Sequence, residues 1–138
     1  MKAEQLLGSV GMAALTVRPL DTGVAQGLND LPVLAANSAL NVIESACSAA
    51  IAEYFLTGET SFTVGAAIQM RGAVAIGAEI RALVKATEFS ESVLTFECEI
   101  HQEQRLIAVA HVQRRLVDRI SFMARSAAEN LPHNSAAS

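Results

Sequence analysis

Tryptophan is absent from the 138 residues, tyrosine occurs once and phenylalanine five times. That excludes an aromatic platform for stacked nucleic-acid bases and leaves the core to aliphatic side chains. Positive charge is scarce as well: ten Lys and Arg stand against fourteen Asp and Glu, a net charge of −4. A phosphate backbone needs a basic stripe, so nucleic acid is not an expected partner. The only cysteines, Cys47 and Cys98, sit far apart in apolar or alternating runs. They are expected as buried free thiols, not as a disulfide framework. No apolar run reaches the roughly 18 residues that span a bilayer, and Met1 to Gly8 lacks the apolar stretch of a signal peptide. The expectation is a reduced, cytoplasmic, soluble protein without a membrane partner. The chain is 51% hydrophobic, enough at this length for one domain, 1–138, with a sizeable core and a flexible tail at 132–138.

Small, β-compatible residues from Ser9 to Val17 predict a strand, which Arg18-Pro19 ends. Asp21 to Asn29 lacks periodicity and predicts an exposed connection. Ala35 to Leu56 is rich in Ala, free of internal Pro and Gly, and bounded by Pro32 and Gly58, so it predicts a long central helix. After Thr60 the pattern turns to period two and to continuous apolar runs. Four strands are expected: Ser61 to Met70, Ala78 to Phe89, Val93 to His101 and Arg105 to Val117. Short polar connections at Ser90-Glu91-Ser92 and Gln102-Glu103-Gln104 favour antiparallel neighbours. Leu94, Phe96, Cys98 and Ile100 share one face, whereas Leu106 to Ala110 is apolar throughout and is expected to be covered on both sides. Helical spacing returns from Asp118 to Leu131. The expected fold is α+β, a curved antiparallel sheet wrapped around one long helix.

On that helix Leu40, Ile43, Cys47, Ile51 and Tyr54 form an apolar face flanked by Ala39, Ala46 and Ala50. Opposite lie Asn37, Asn41, Ser45 and Ser48, with Glu44 at the border. No Lys or Arg occurs between Pro19 and Met70, although a solvated helix usually carries paired charges. The polar stripe Asn37, Asn41, Glu44, Ser48 therefore suits a cleft or a partner subunit, or else a polar rim beside the sheet. Glu44 is its one carboxylate, and apolar neighbours favour general-base work there by desolvation.

Val33-Leu34-Ala35-Ala36-Asn37-Ser38-Ala39-Leu40-Asn41-Val42-Ile43-Glu44-Ser45-Ala46-Cys47 resembles the helix opening V-L-A-T-P-A-M-x-x-L-M-E-x-A-A of hotdog-fold thioesterases, fluoroacetyl-CoA thioesterase-like branch. Val64-Gly65-Ala66-Ala67-Ile68 is similar to that branch's V-G-T-x-V strand, and Val117 to Phe122 to its V-D-R-x-x-F ending. The resemblance covers nearly the whole chain and implies a hotdog fold, a homodimer or higher homo-oligomer with pockets between subunits, and an acyl-CoA or related thioester as ligand. It places Glu44 on the family's catalytic carboxylate and Gly65 on the glycine whose N–H helps form the acyl site. The family's Thr falls on Ala36, beside Asn37, and its His has no counterpart in the segment Gln69 to Gly77 that holds Gly72.

Three functions follow. In the first, Glu44 activates water or attacks a small or medium acyl thioester, Gly65 stabilises the oxyanion, and Asn37 or Asn41 orients the reactants. Ala36 and Gly72 are then expected at the substrate. In the second, the same groove binds acyl-CoA or another small molecule without catalysis. In the third, the stripe is a structural dimer contact. His111, His101 and His133 are poor candidates for the missing base, and with one carboxylate and no His/Cys cluster neither a metal nor any other cofactor is expected.

Overall fold

A computed structural model describes residues 3–132. Residues 133–138, which hold His133 and nearly all of the expected tail, lie outside the described residues. The elements are α1 (Ala3–Leu6), β1 (Val10–Thr16), α2 (Ala36–Ile51), β2 (Glu59–Met70), β3 (Glu79–Ser90), β4 (Val93–Gln102), β5 (Arg105–Asp118) and α3 (Arg119–Glu129). Helix α2 ends five residues before Leu56 and continues as a 3₁₀ turn over Ala52–Tyr54. The five strands form one antiparallel sheet in the order β1-β3-β4-β5-β2. It curls around α2, the hotdog arrangement.

The strand pattern explains why the sheet encloses a helix. β4 alternates strictly, and Leu94, Phe96, Cys98 and Ile100 are all buried. Their cross-strand neighbours are mostly small: Phe96 lies between Ala86 and Val112, Cys98 between Val84 and Ala110, Ile100 between Ala82 and Ala108. Large side chains on the middle strand and small ones beside it leave a trough for the apolar face of α2. Ile43, Cys47 and Ile51 fill it in one core cluster with those strands. Curvature comes from three register shifts, at Thr63/Gly65, Ala86/Glu88 and Ile100/His101, because each bulge bends and twists its strand.

The third shift revises the reading of Leu106 to Ala110. His101 pairs with Leu106 and Ile100 with Ala108, so Ile107 is the extra residue and consecutive Ile107 and Ala108 both turn inward. Val109 points to the outer face instead. It is half-buried beside Leu83 and Met12, in a depression of about 700 Å³ that also holds Lys85, Glu97 and His111. The apolar run thus reflects a bulge, not a strand covered on both sides.

β1 crosses α2 at close range. A Cβ on Gly11 would collide with the Ala46 carbonyl oxygen and come 2.9 Å from the Ala50 Cβ. Gly11→Ala must push β1 off the helix, and the expected cost is about 1–3 kcal/mol, the usual range for overpacking. Urea denaturation reads it directly; a midpoint equal to that of the wild type would contradict this packing.

Candidate active site at the sheet edge

Glu44 is half-buried on the flank of α2 that meets β2. Thr63 Oγ1 on β2 donates a hydrogen bond to Glu44 Oε1. Arg114 on β5, directly opposite Thr63 in the ladder, donates through Nη1 to the same hydroxyl at 3.3 Å. Arg114 also holds Ser61, through Nε to Oγ at 2.9 Å and through Nη2 to the carbonyl at 3.2 Å. A hydroxyl has one proton to give and lone pairs to receive, so the direction is set: Arg114 to Thr63, Thr63 to Glu44. Among the described residues Glu44 Oε2 has no hydrogen-bond partner. One carboxylate oxygen is therefore anchored and the other is free.

A bulge makes this contact. Thr63 pairs with Arg114 and Gly65 with Gln113, which leaves Val64 as the extra residue. Before the bulge Ser61 and Thr63 face α2; after it, Ala66, Ile68 and Met70 take the positions opposite inward-facing Val112, Ala110 and Ala108. Gly65 itself turns to the outer face, where a Cβ would lie 2.8 Å from Gln113 Oε1. Two residues along the strand, about 7 Å, separate it from Thr63.

The remaining polar residues of the helix stripe go elsewhere. Asn37 and Ser48 are exposed. Asn41 and Ser45 line a groove of about 210 Å³ between α2 and β1, together with Ser38, Arg18 and Asp21. That groove is fixed by Arg18, which grips Asp21 through Nε and Nη2, both at 2.9 Å. The grip holds the Asp21 carboxyl below the usual carboxylate range despite its burial. Ala36, exposed, opens the helix eight residues before Glu44, about 12 Å along the axis. Gly72 lies past the far end of β2, its N–H donated to the Ile107 carbonyl at 3.1 Å. In the single chain Glu44 meets Thr63 just before the bulge and Gly65 follows just after it on the outer face, while Asn41, the Ala36-Asn37 pair and Gly72 occupy three other places.

Thr63, Arg114 and Ser61 were not among the residues expected from sequence. One signal for Arg114 was present: Ala108, Ala110, Val112 and Leu116 share a parity, so an arginine at 114 points inward. Thr63 gave none, because the bulge at Val64 inverts the alternation of β2. The thiols behind the site are quiet. Cys47 is buried beside Cys98, and that neighbour together with burial pushes the Cys47 thiol up, so Cys47 is not poised as a nucleophile.

A curled sheet closed on one helix, with a helix carboxylate delivered to a bulged edge strand, defines a hotdog-fold protein of the thioesterase kind. The family described as fluoroacetyl-CoA-specific thioesterase, FlK, matches residues 17–120. The chain belongs to that family, and it is an acyl-CoA thioesterase-like protein. No protein of curated function matches it by sequence. Among solved structures it is similar to the fluoroacetyl-CoA thioesterase FlK, with 19% identity, TM-score 0.80, and 91% of this chain and 97% of that one covered. A variant of FlK in complex with acetyl-CoA gives TM-score 0.81 at 18% identity, with 91% and 98% covered. A hot-dog-like protein from Thermanaerovibrio acidaminovorans reaches TM-score 0.88 at 13% identity, with 96% and 100% covered.

Proposed function

We propose that this chain hydrolyses a small or medium acyl-CoA thioester with Glu44 as its base or nucleophile. The observation that carries the reading is the asymmetric carboxylate: Oε1 is held by Thr63, and Oε2 has no hydrogen-bond partner among the described residues. A general base needs a fixed geometry and one unoccupied oxygen within reach of the proton it takes. Oε2 removes a proton from the attacking water, or attacks the thioester carbon itself, which expels the thiolate and leaves an acyl-enzyme for water to cleave. The Gly65 N–H, close by on β2, is the proposed oxyanion donor. Asn37, Asn41, Ala36 and Gly72 are the proposed contacts to the rest of the substrate. Thr63 orients the carboxylate from the sheet, at a site where Ala36 stands in place of the family's Thr.

The second copy belongs to this proposal. β2 is a free edge of twelve residues with Glu59 its one charged residue and no Pro or Lys. Natural edges are usually blunted by such residues, and an unblunted one invites pairing. A homodimer joined along β2 also draws the scattered site residues toward one cleft. Two free thiols fit the reducing cytoplasm proposed as its compartment. No described helix is long and apolar enough to cross a membrane.

Hydrolysis of short and medium acyl-CoAs, followed by thiol release, tests the reading together with light scattering at micromolar concentration. Turnover by a dimer is expected. Thermal stabilisation by coenzyme A without any turnover would select the non-catalytic binder, and a monomer would refute the edge pairing.

A further inference from the structure

An antiparallel sheet that covers a core with one face usually turns polar side chains to water on the other. The outer face departs from that rule beside β1. Gly11 and Ala13 pack inward against α2 and the core, so the larger apolar residues Val10 and Met12 point out, 68% and 57% exposed. Ladder pairing sets Met12 beside Leu83, itself 46% exposed, and the same row continues through Glu99 to Val109. These side chains line the outer depression of about 700 Å³. A contiguous apolar patch on a sheet face marks a contact surface.

The neighbouring row is charged. Val10, Lys85, Glu97 and His111 stand side by side across β1, β3, β4 and β5. Other charges on this face are used within the chain: Glu79 holds Arg81 at 3.1 Å, and Glu99 holds His101 at 2.8 Å. Lys85 and Glu97 differ. Both are exposed and directly opposed in the ladder, yet among the described residues neither side chain makes an ion pair or a hydrogen bond. One positive and one negative charge stay available beside the apolar patch.

We infer that this face binds a second copy of the chain, sheet against sheet, about a two-fold axis that runs parallel to the strands between β3 and β4. The charge pattern selects that occupant. Such an axis exchanges β3 with β4 and β1 with β5. Lys85 then faces the partner's Glu97 and Glu97 the partner's Lys85, while Met12 covers the partner's Val109 and the reverse. That reciprocity is what a two-fold contact requires, because the same patch must serve both sides. Leu83 meets the stem of the partner's Glu99, and in each chain that carboxylate is turned to His101. Stacked sheets lie about 10 Å apart with their strands within about 30° of each other. A lysine and a glutamate reaching from opposite sides close that gap. The contact lies away from the β2 edge and is independent of the hydrolase reading.

Sedimentation of Lys85→Glu and Glu97→Lys, alone and mixed, decides it. Each reversal sets like charges against each other twice across the axis, so each variant alone is expected at about half the wild-type mass. Mixed in equal amounts, the two variants are expected to regain the wild-type mass, since each then meets the opposite charge on the other. A reversal also sets like charges opposite each other within its own sheet. Mixing cannot relieve that internal cost, so recovery reports the contact between chains. Met12→Asp leaves both charges in place and is expected to separate the copies as well. Wild-type mass in the single variants, or a mixture that does not recover, overturns the proposal. Loss of the β2 edge pairing would instead halve wild type and variants alike and keep their ratio at about two, so the two contacts are read apart.

Discussion

Glu44→Gln is expected to lower acyl-CoA turnover by about a hundredfold or more, with little change in coenzyme A affinity and little change in melting temperature. The structure makes the stability half of that expectation specific. Among the described residues Glu44 accepts from one side-chain hydroxyl, that of Thr63, and from no backbone amide. The amide oxygen of glutamine accepts the same bond, so the change removes only the ionisable oxygen. A carboxylate that served the fold would behave in the opposite way. Its loss would lower the melting temperature and leave turnover per folded molecule intact, and that pair of results would refute the catalytic assignment. Turnover and melting on a single preparation keep the two cases apart.

Phe96→Ala should cost roughly 3 to 5 kcal/mol in unfolding free energy. Phe96 is 0% exposed and belongs to the cluster that contains Ile43, Cys47 and Ile51. One of its cross-strand neighbours is Ala86, too small to lean into the space left behind, so the cavity persists and its cost adds to the lost transfer energy. Denaturant unfolding checks the value. A loss below about 1 kcal/mol would mean that Phe96 faces outward, since a one-residue slip in β4 exposes Leu94, Phe96, Cys98 and Ile100 together.

These two residues mark how far the sequence could be read. Phe96 belongs to a period-two pattern that needs only local alternation, and α2 to a 3.6-residue pattern uninterrupted by Pro or Gly. The β4 face emerged where expected; on α2 Ile43, Cys47 and Ile51 are buried with the flanking Ala39, Ala46 and Ala50, whereas Leu40 and Tyr54 are half-buried and Val42 joins the core instead. The V-L-A…E run and the glycine of β2 led to the family, and its model matches residues 17–120. What stayed hidden depended on single extra residues. A bulge is one residue of additional chain with no composition of its own, and the one at Val64 decides that Thr63 meets Glu44 across 19 positions of sequence. The one at Ile107 made a bulged strand look like one buried on both faces. The stripe on α2 misled for a related reason: 100° steps put Asn37, Asn41 and Glu44 on one side, but β1 and β2 flank the helix and divide that side between them.

The strand order sets the site's local stability. β3, β4 and β5 follow one another through tight turns, with low loop-closure entropy, while β2 joins from the outside, pairing with residues about fifty positions away. Amide protection generally rises toward the centre of such a sheet and falls at its margins. Glu44 stands on the helix at the centre, and the hydroxyl that orients it is carried by a marginal strand. In a lone chain each opening of β2 releases the carboxylate while the core remains folded, and the pairing of two copies along β2 proposed above would remove that margin and hold the hydroxyl in place.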